Sequence, residues 1–268
     1  MKSRILVSIV GIPLLIGVVL WTPDVVLMTA LAVLAGIGAN EMMKCVGVEK
    51  KSFLMALTVV AACAAVGCYY GCPNYIAVLW ALYVVAAFIY AIVKAGEVKF
   101  VQVLAGIFAA VVIPYSFSAF LRLDAMGLHR AYLFLPFILS FACDTFAYFA
   151  GLCFGKHKLA PKVSPKKTIE GSIGGTCGNV VCGLIFAYAM ERLLGAGIGY
   201  GAMIILALCC AVVAQVGDLS FSLIKREFGV KDYGKLFLEH GGVLDRFDSV
   251  LFVAPVIEIV LQLVNLGK

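Results

Sequence analysis

Two aspartates three residues apart, Asp245 and Asp248, follow a pair of glycines near the C-terminal end of this sequence. In a helix, this spacing places both carboxylates on one face, where they could hold a hard divalent cation together with its waters. Gly241 and Gly242 remove side chains where the backbone must turn sharply or approach a ligand. The pattern is typical of a cation site that the backbone approaches closely.

Basic side chains surround these aspartates throughout the stretch 225–249 and could donate hydrogen bonds to phosphate oxygens. They are Lys225, Arg226, Lys231, Lys235 and Arg246. Acids that could hold a metal beside bases that could hold phosphates are what nucleotide chemistry needs. The alternative is a solvated surface of mutually paired charges, which is what a charge run usually forms.

A second charged loop, residues 153–171, carries five lysines and two prolines. The prolines disfavour a helix before Lys166, and Thr168 or Ser172 could cap the helix that follows. Backbone N–H groups at such a helix start, beside Lys166 and Lys167, would form a natural phosphate site. The alternative is an ordinary lysine-rich loop that contacts anionic lipid headgroups.

Two further aspartates, Asp144 and Asp218, lie inside apolar segments. An ionisable group within a membrane span costs roughly 2.5–3.5 kcal/mol on insertion scales and indicates function by default. Asp218, Ser222 and Lys225 have the i, i+4, i+7 spacing of one helix face. Each acid lies about two helical turns from a charged loop. Both could therefore line the inner end of a cavity that opens on the side of these loops. An ion-coupled transporter that uses Asp144 and Asp218 is the alternative function.

The whole chain is apolar, since 63% of its 268 residues are hydrophobic and only 13% are charged. Apolar stretches of about 20 residues, long enough to cross a membrane core, recur from end to end. A soluble protein would not leave so few charges for its surface. We therefore predict an all-α polytopic membrane protein of about nine transmembrane helices, at Ile5–Trp21, Val25–Ala39, Phe53–Gly71, Tyr75–Val93, Phe100–Leu121, Ala131–Leu152, Ser172–Leu194, Gly201–Ile224 and Val250–Leu266.

The positive charges fall unevenly on the two faces that nine spans define. All but four of the 21 lysines and arginines share the face of the N-terminus, the exceptions being Arg122, Arg130, Arg192 and Lys268. Cytoplasmic loops carry such an excess of lysine and arginine. The distribution predicts a cytoplasmic N-terminus, cytoplasmic charged loops and a C-terminus on the outside.

Three polar blocks of this chain resemble the phosphatidate cytidylyltransferases, which are the CDP-diacylglycerol synthases. The first block is Asp144–Gly151 and the second is Ser164–Gly171. The third begins with Ser222-Leu-Ile-Lys-Arg, continues with Lys231-Asp232, and ends with the run His-Gly-Gly-Val-Leu-Asp-Arg-Phe-Asp at 240–248. One departure is the Phe-Leu-Glu at 237–239, where the family often has Pro-Gly before the histidine.

The resemblance implies an integral membrane enzyme that joins CTP and phosphatidic acid into CDP-diacylglycerol and releases pyrophosphate. Carried over by matching position, Asp218 and Asp245 are expected to bind a divalent metal, normally Mg²⁺. The expected catalytic residues are Asp144, Lys225, Arg226, Arg246 and Asp248. The expected substrate-binding residues are Ser164, Lys166, Lys167, Glu170, Ser222, Lys231, Asp232, His240, Gly241 and Gly242.

The chain is expected to consist of two regions. Residues 1–130 are expected to form N-terminal transmembrane helices, spans one to five, and residues 131–268 a catalytic transmembrane region with charged cytoplasmic loops at 153–171 and 225–249. The expected location is a bacterial plasma membrane with the active site facing the cytoplasm. The expected partners are CTP, phosphatidic acid and the bilayer. No nucleic acid is expected, and a homodimer is left open.

Overall fold

The computed structural model of the protein describes residues 2–48, 52–195, 197–234, 236 and 241–266. Within these ranges it forms nine long helices: α1 Lys2–Trp21, α2 Asp24–Cys45, α3 Phe53–Gly71, α4 Ile76–Val93, α5 Phe100–Asp124, α6 Leu135–Phe154, α7 Ile169–Leu194, α8 Tyr200–Glu227 and α9 Leu244–Leu266. Short 3₁₀ turns at Pro73–Tyr75 and Arg130–Phe134 precede α4 and α6. Two short strands, β1 Lys158–Ala160 and β2 Ser164–Thr168, join α6 to α7.

Seven segments of the described chain, those that contain α2 to α8, are long and apolar enough to cross a membrane. A membrane core offers no hydrogen-bond partners to backbone N–H and C=O groups. A helix pairs these groups within itself. The prediction of a helical polytopic membrane protein is therefore confirmed. The number of nine spans and the sides on which the termini lie stay predictions.

The described chain divides into two compact units. The first comprises Met1–Arg130 and Glu227–Phe247, and the second comprises Ala131–Arg226 and Asp248–Lys268. The stretch Glu227–Phe247, which belongs to the second charged loop and the start of α9, thus groups with the N-terminal helices.

In the first unit, α2, α3 and α5 pack against one another, and α4 packs against α3 and α5. Their core includes the buried side chains of Met43, Leu54 and Val103. A hydrogen bond of 2.8 Å between the hydroxyls of Thr58 and Tyr83 joins α3 to α4. This buried pair satisfies two polar groups that would otherwise be costly in an apolar core.

In the second unit, α6 and α7 pack closely along their length. A Cβ at Gly175 would lie 2.7 Å from the carbonyl oxygen of Cys143, and one at Gly171 would lie 2.7 Å from that of Ala147. Small residues let helix backbones approach in this way in membranes. The close approach brings the start of α7 next to α6, which carries Asp144.

The second unit also contains an antiparallel hairpin that the sequence reading treated only as a loop. Lys158 in β1 pairs with Thr168 in β2, and Ala160 pairs with Ser164. A hairpin of two strands consists of edges alone, so it tolerates Pro165 within β2. Lys166 and Lys167 in β2 therefore lie directly before the start of α7.

The start of α7 has the predicted cap. Thr168 is the N-cap residue, and its hydroxyl oxygen accepts a hydrogen bond of 3.1 Å from the backbone N–H of Gly171. Such a bond satisfies one of the N–H groups that lack a partner in the first helical turn. Ser172, the other candidate cap, lies inside the helix.

Candidate active site

A cavity of about 600 Å³ lies in the second unit, bounded by α6, the hairpin, α7 and α8. Five of the predicted site residues line it: Asp144, Ser164, Lys166, Lys167 and Asp218. They come from three separate parts of the sequence, and the helix packing brings them to one surface. The lining thus combines carboxylates with ammonium groups. That these groups bind a cation and phosphates stays a prediction.

Asp218 and Lys167 form an ion pair at the wall of this cavity. Their side chains are 23% and 25% exposed, so the pair is neither fully solvated nor sealed from water. Ser222, one turn further along α8, lies with its hydroxyl 3.4 Å from an oxygen of Asp218. The predicted helix face that carries Asp218 and Ser222 is therefore present.

Asp144 is connected to α9. The hydroxyl of Ser249 donates a hydrogen bond of 3.3 Å to the carboxylate of Asp144, and the backbone N–H of Ser249 donates one of 2.8 Å to Asp248. In addition, a Cβ at Gly217 would lie 2.8 Å from the carbonyl oxygen of Asp248. Hence α8 and α9 approach closely beside Asp218, and the second unit gathers three aspartates in one region.

Sequence reasoning missed several residues of the cavity wall. Gln215 donates to the carbonyl oxygen of Ser172 at 3.4 Å, and the side chains of these two residues are also in contact. Lys158 adds a third lysine from β1. The sequence carries one signal for Gln215, because it is a polar residue within an apolar segment, three residues before Asp218.

Besides Ser222 and Asp248, described above, three predicted residues of the second unit lie outside the cavity wall: Glu170, Lys225 and Arg226. Glu170 accepts hydrogen bonds from the backbone N–H groups of Lys156, at 3.0 Å, and His157, at 3.2 Å. Its carboxylate thereby anchors the start of the hairpin to α7. Lys225 and Arg226 occupy the last turn of α8, and the Nε of Arg226 donates to the carbonyl oxygen of Val163 at 3.4 Å.

The remaining predicted residues belong to the first unit. Asp245 accepts hydrogen bonds from the backbone N–H groups of Tyr233, at 2.7 Å, and Gly242, at 2.9 Å. Gly241 has a φ of +82°, a conformation that L side chains rarely adopt. Lys231, Asp232 and Arg246 are exposed. His240 lies outside the described residues, as does the Phe-Leu-Glu at 237–239.

The predicted metal ligands therefore divide between the units, with Asp218 in the second and Asp245 in the first. Within the described ranges, no group of three or more His, Cys, Asp or Glu side chains could hold a metal ion. Mg²⁺ usually binds through one or two carboxylates together with waters and substrate phosphates. Asp218 beside Lys167 in the cavity wall fits a cation that binds together with phosphate oxygens.

Comparison with known proteins shows the family of this chain. The phosphatidate cytidylyltransferase of Staphylococcus saprophyticus is 42% identical over 135 residues, which cover 50% of each chain. Those of Staphylococcus haemolyticus and Staphylococcus aureus (strain COL) are 36% and 37% identical over 172 residues, or 64% of each chain. The matched stretches span half to about two thirds of these relatives. A model of the cytidylyltransferase family matches residues 2–264, so the chain belongs to the cytidylyltransferase family.

Proposed function

We propose that this protein transfers the cytidylyl group of CTP to phosphatidic acid, which gives CDP-diacylglycerol and pyrophosphate. The observation that carries the proposal is the cavity where Asp144 and Asp218 lie with Lys166 and Lys167 in a chain of this family. The names of the Staphylococcus relatives support phosphatidate as the acceptor. Membership in the cytidylyltransferase family does not favour the alternative function, an ion-coupled transporter.

The reaction forms one bond and breaks another at the α-phosphorus of CTP. An oxygen of the lipid phosphate attacks this phosphorus in line. The bond from the α-phosphorus to the oxygen that bridges the α- and β-phosphates breaks, and pyrophosphate leaves with the electron pair of that bond. The attacking phosphate is largely ionised at pH 7, because its second pKa is about 6. A dedicated general base is therefore not required.

Charge neutralisation and positioning then dominate the catalysis, because both reactants are polyanions. We assign Lys166 and Lys167 to the phosphates, since β2 presents both at the cavity wall beside the start of α7. Arg226, Lys225 and Arg246 stay proposed as further phosphate ligands. The apolar side chains of Leu152 and Leu159 in the same wall suit a lipid acceptor.

We keep Asp218 and Asp245 as the proposed ligands of Mg²⁺, on the basis of the family resemblance and their carboxylate chemistry. When bound, the cation would neutralise triphosphate oxygens and stabilise the departing pyrophosphate. The ion pair with Lys167 orients Asp218 at the cavity wall. Because the two aspartates belong to different units, the contribution of each must be tested by its own substitution.

The proposed location is a bacterial plasma membrane with the cavity open to the cytoplasm. The helices indicate an integral membrane protein, and the relatives are bacterial. The excess of lysine and arginine on one predicted face supports the cytoplasmic orientation. CTP would then enter from the cytoplasm while the lipid phosphate arrives at the headgroup level.

The direct test is incorporation of labelled CTP into chloroform-soluble lipid by the detergent-purified protein. The assay is run with phosphatidic acid, with and without Mg²⁺, for the wild type, Asp218→Asn and Asp245→Asn. Glu227→Gln, which removes an exposed acid at the end of α8, is the control. Labelled lipid that depends on Mg²⁺ and disappears in both aspartate variants is expected. A folded wild type that forms no product with any acyl chain would refute the proposal.

A further inference from the structure

A buried glutamate of α2, which the sequence analysis did not select, contacts the loop that ends at the start of α9, just before Asp245. Glu41 is 5% exposed and lies in the first unit, as does this loop. Its two carboxylate oxygens accept hydrogen bonds from consecutive backbone N–H groups, those of Val243 at 3.0 Å and Leu244 at 2.9 Å. Since α9 begins at Leu244, Glu41 satisfies N–H groups at the start of that helix.

The fit between Glu41 and the loop excludes side chains on two glycines. A Cβ at Gly242 would lie 2.2 Å from a carboxylate oxygen of Glu41, and one at Gly234 would lie 2.3 Å from the same oxygen. Such distances leave no room even for a methyl group. The glycines therefore form a cradle around the carboxylate.

Gly242 also connects Glu41 to Asp245. Its Cα faces the Glu41 carboxylate, while its N–H donates a hydrogen bond of 2.9 Å to Asp245. Val243 and Leu244, the two residues that Glu41 holds, immediately precede Asp245 in the chain. A displacement of this turn would therefore move the Asp245 carboxylate.

We infer that Glu41 is a positioning residue, which fixes the turn at 241–244 and thereby orients Asp245 for the reaction. The inference rests on the proposed function, because it assigns Asp245 a part in cytidylyl transfer. Glu41 acts through the backbone of the turn, which it binds at Val243 and Leu244. A misplacement of about 1 Å in an active site can lower a rate about 100-fold, so a displacement of this turn should lower turnover.

The test compares two substitutions of similar size, Glu41→Gln and Glu41→Met. Gln keeps one acceptor oxygen and Met keeps none, so kcat should fall in the order Glu, Gln, Met. We expect kcat to fall at least about tenfold for Gln and about 100-fold for Met. The KM for CTP should change less than about threefold, because the phosphate-binding lysines are untouched.

Amide hydrogen exchange provides a second readout that does not depend on activity. The N–H groups of Val243 and Leu244 should exchange faster in both variants. Glu258→Gln is the control, because it replaces the carboxyl group of another buried glutamate, 4% exposed, that lies on α9 away from the turn. It should leave exchange at 243–244 unchanged.

Gly242→Ala tests the same contact from the loop side without changing any charge. Its methyl group must displace the Glu41 carboxylate, so it should reproduce the faster exchange and the lower kcat. This variant decides the question if the Glu41 variants do not fold. Unchanged kcat and unchanged exchange at 243–244 in a folded Glu41→Met would overturn the inference. A wild type without activity but with faster exchange in Glu41→Met would instead refute only the proposed function.

Discussion

Lys167 pairs with Asp218 across the wall of the cavity, joining the hairpin to the polar face of α8. We propose two functions for Lys167. It orients the partly buried carboxylate of Asp218, and it places a positive charge where a polyanionic substrate would bind. Loss of the lysine should therefore affect both substrate binding and the aspartate.

We first predict that Lys167→Met lowers kcat/KM for CTP by about 100-fold, the cost typical of losing one electrostatic stabiliser. Lys166→Met should have a smaller effect, because Lys166 is the more exposed of the two. Initial rates over a range of CTP concentrations measure both effects. Lys162→Met removes an exposed lysine from the hairpin turn outside the cavity wall and is the matched control. An equal loss in the control would show that only the general charge of the loop matters.

A second prediction concerns the hydrogen bond between Ser249 and Asp144. Asp144→Asn should abolish turnover, because it removes a cavity carboxylate. Ser249→Ala removes only the donor to that carboxylate, and we expect kcat to fall roughly tenfold, since a hydrogen bond to a charged group contributes about 1.5–3 kcal/mol. Steady-state kinetics of the two variants measure the difference.

Ser249→Thr, which keeps the hydroxyl, is the control for the second prediction. It should retain most of the activity that Ser249→Ala loses. If Ala and Thr at this position behave alike, the hydrogen bond does not orient Asp144.

The sequence predicted most of the helices and the carboxylate–lysine character of the cavity. Both depend on local signals: apolar stretches of span length, and charges such as Asp144 and Asp218 placed where charge is costly. The hairpin at Lys158–Thr168 gave no such signal. Its strands are three and five residues long and carry no alternation of apolar and polar residues.

Glu41 shows a different reason why part of the site could not be predicted. It lies near the end of a span, where an acid is unremarkable, and its hydrogen-bond partners lie 202 and 203 residues away in sequence. Spacing within a helix predicts which side chains share a face. It does not predict which distant backbone an isolated side chain will contact.

A third prediction tests the close packing of α6 on α7. Gly175→Ala should destabilise the protein by roughly 1–3 kcal/mol, the usual cost of overpacking. The added Cβ would lie 2.7 Å from a backbone carbonyl oxygen, which cannot move without shifting α6. Thermal unfolding in detergent measures the loss. Gly67→Ala is the matched control, because nothing lies within 4 Å of a Cβ at this helical position of α3, and it should be neutral or stabilising by up to about 1 kcal/mol.

The last prediction concerns the cap of α7. Thr168→Val keeps the volume of a residue that is only 8% exposed but removes the oxygen that accepts from the N–H of Gly171. We expect a loss of about 1 kcal/mol in stability, together with a raised KM for CTP, because Lys167 directly precedes the cap. Thr168→Ser keeps the acceptor and should restore the KM, although it loses a buried methyl group. A Val variant with the stability and KM of the wild type would show that the cap neither stabilises α7 nor positions the lysines.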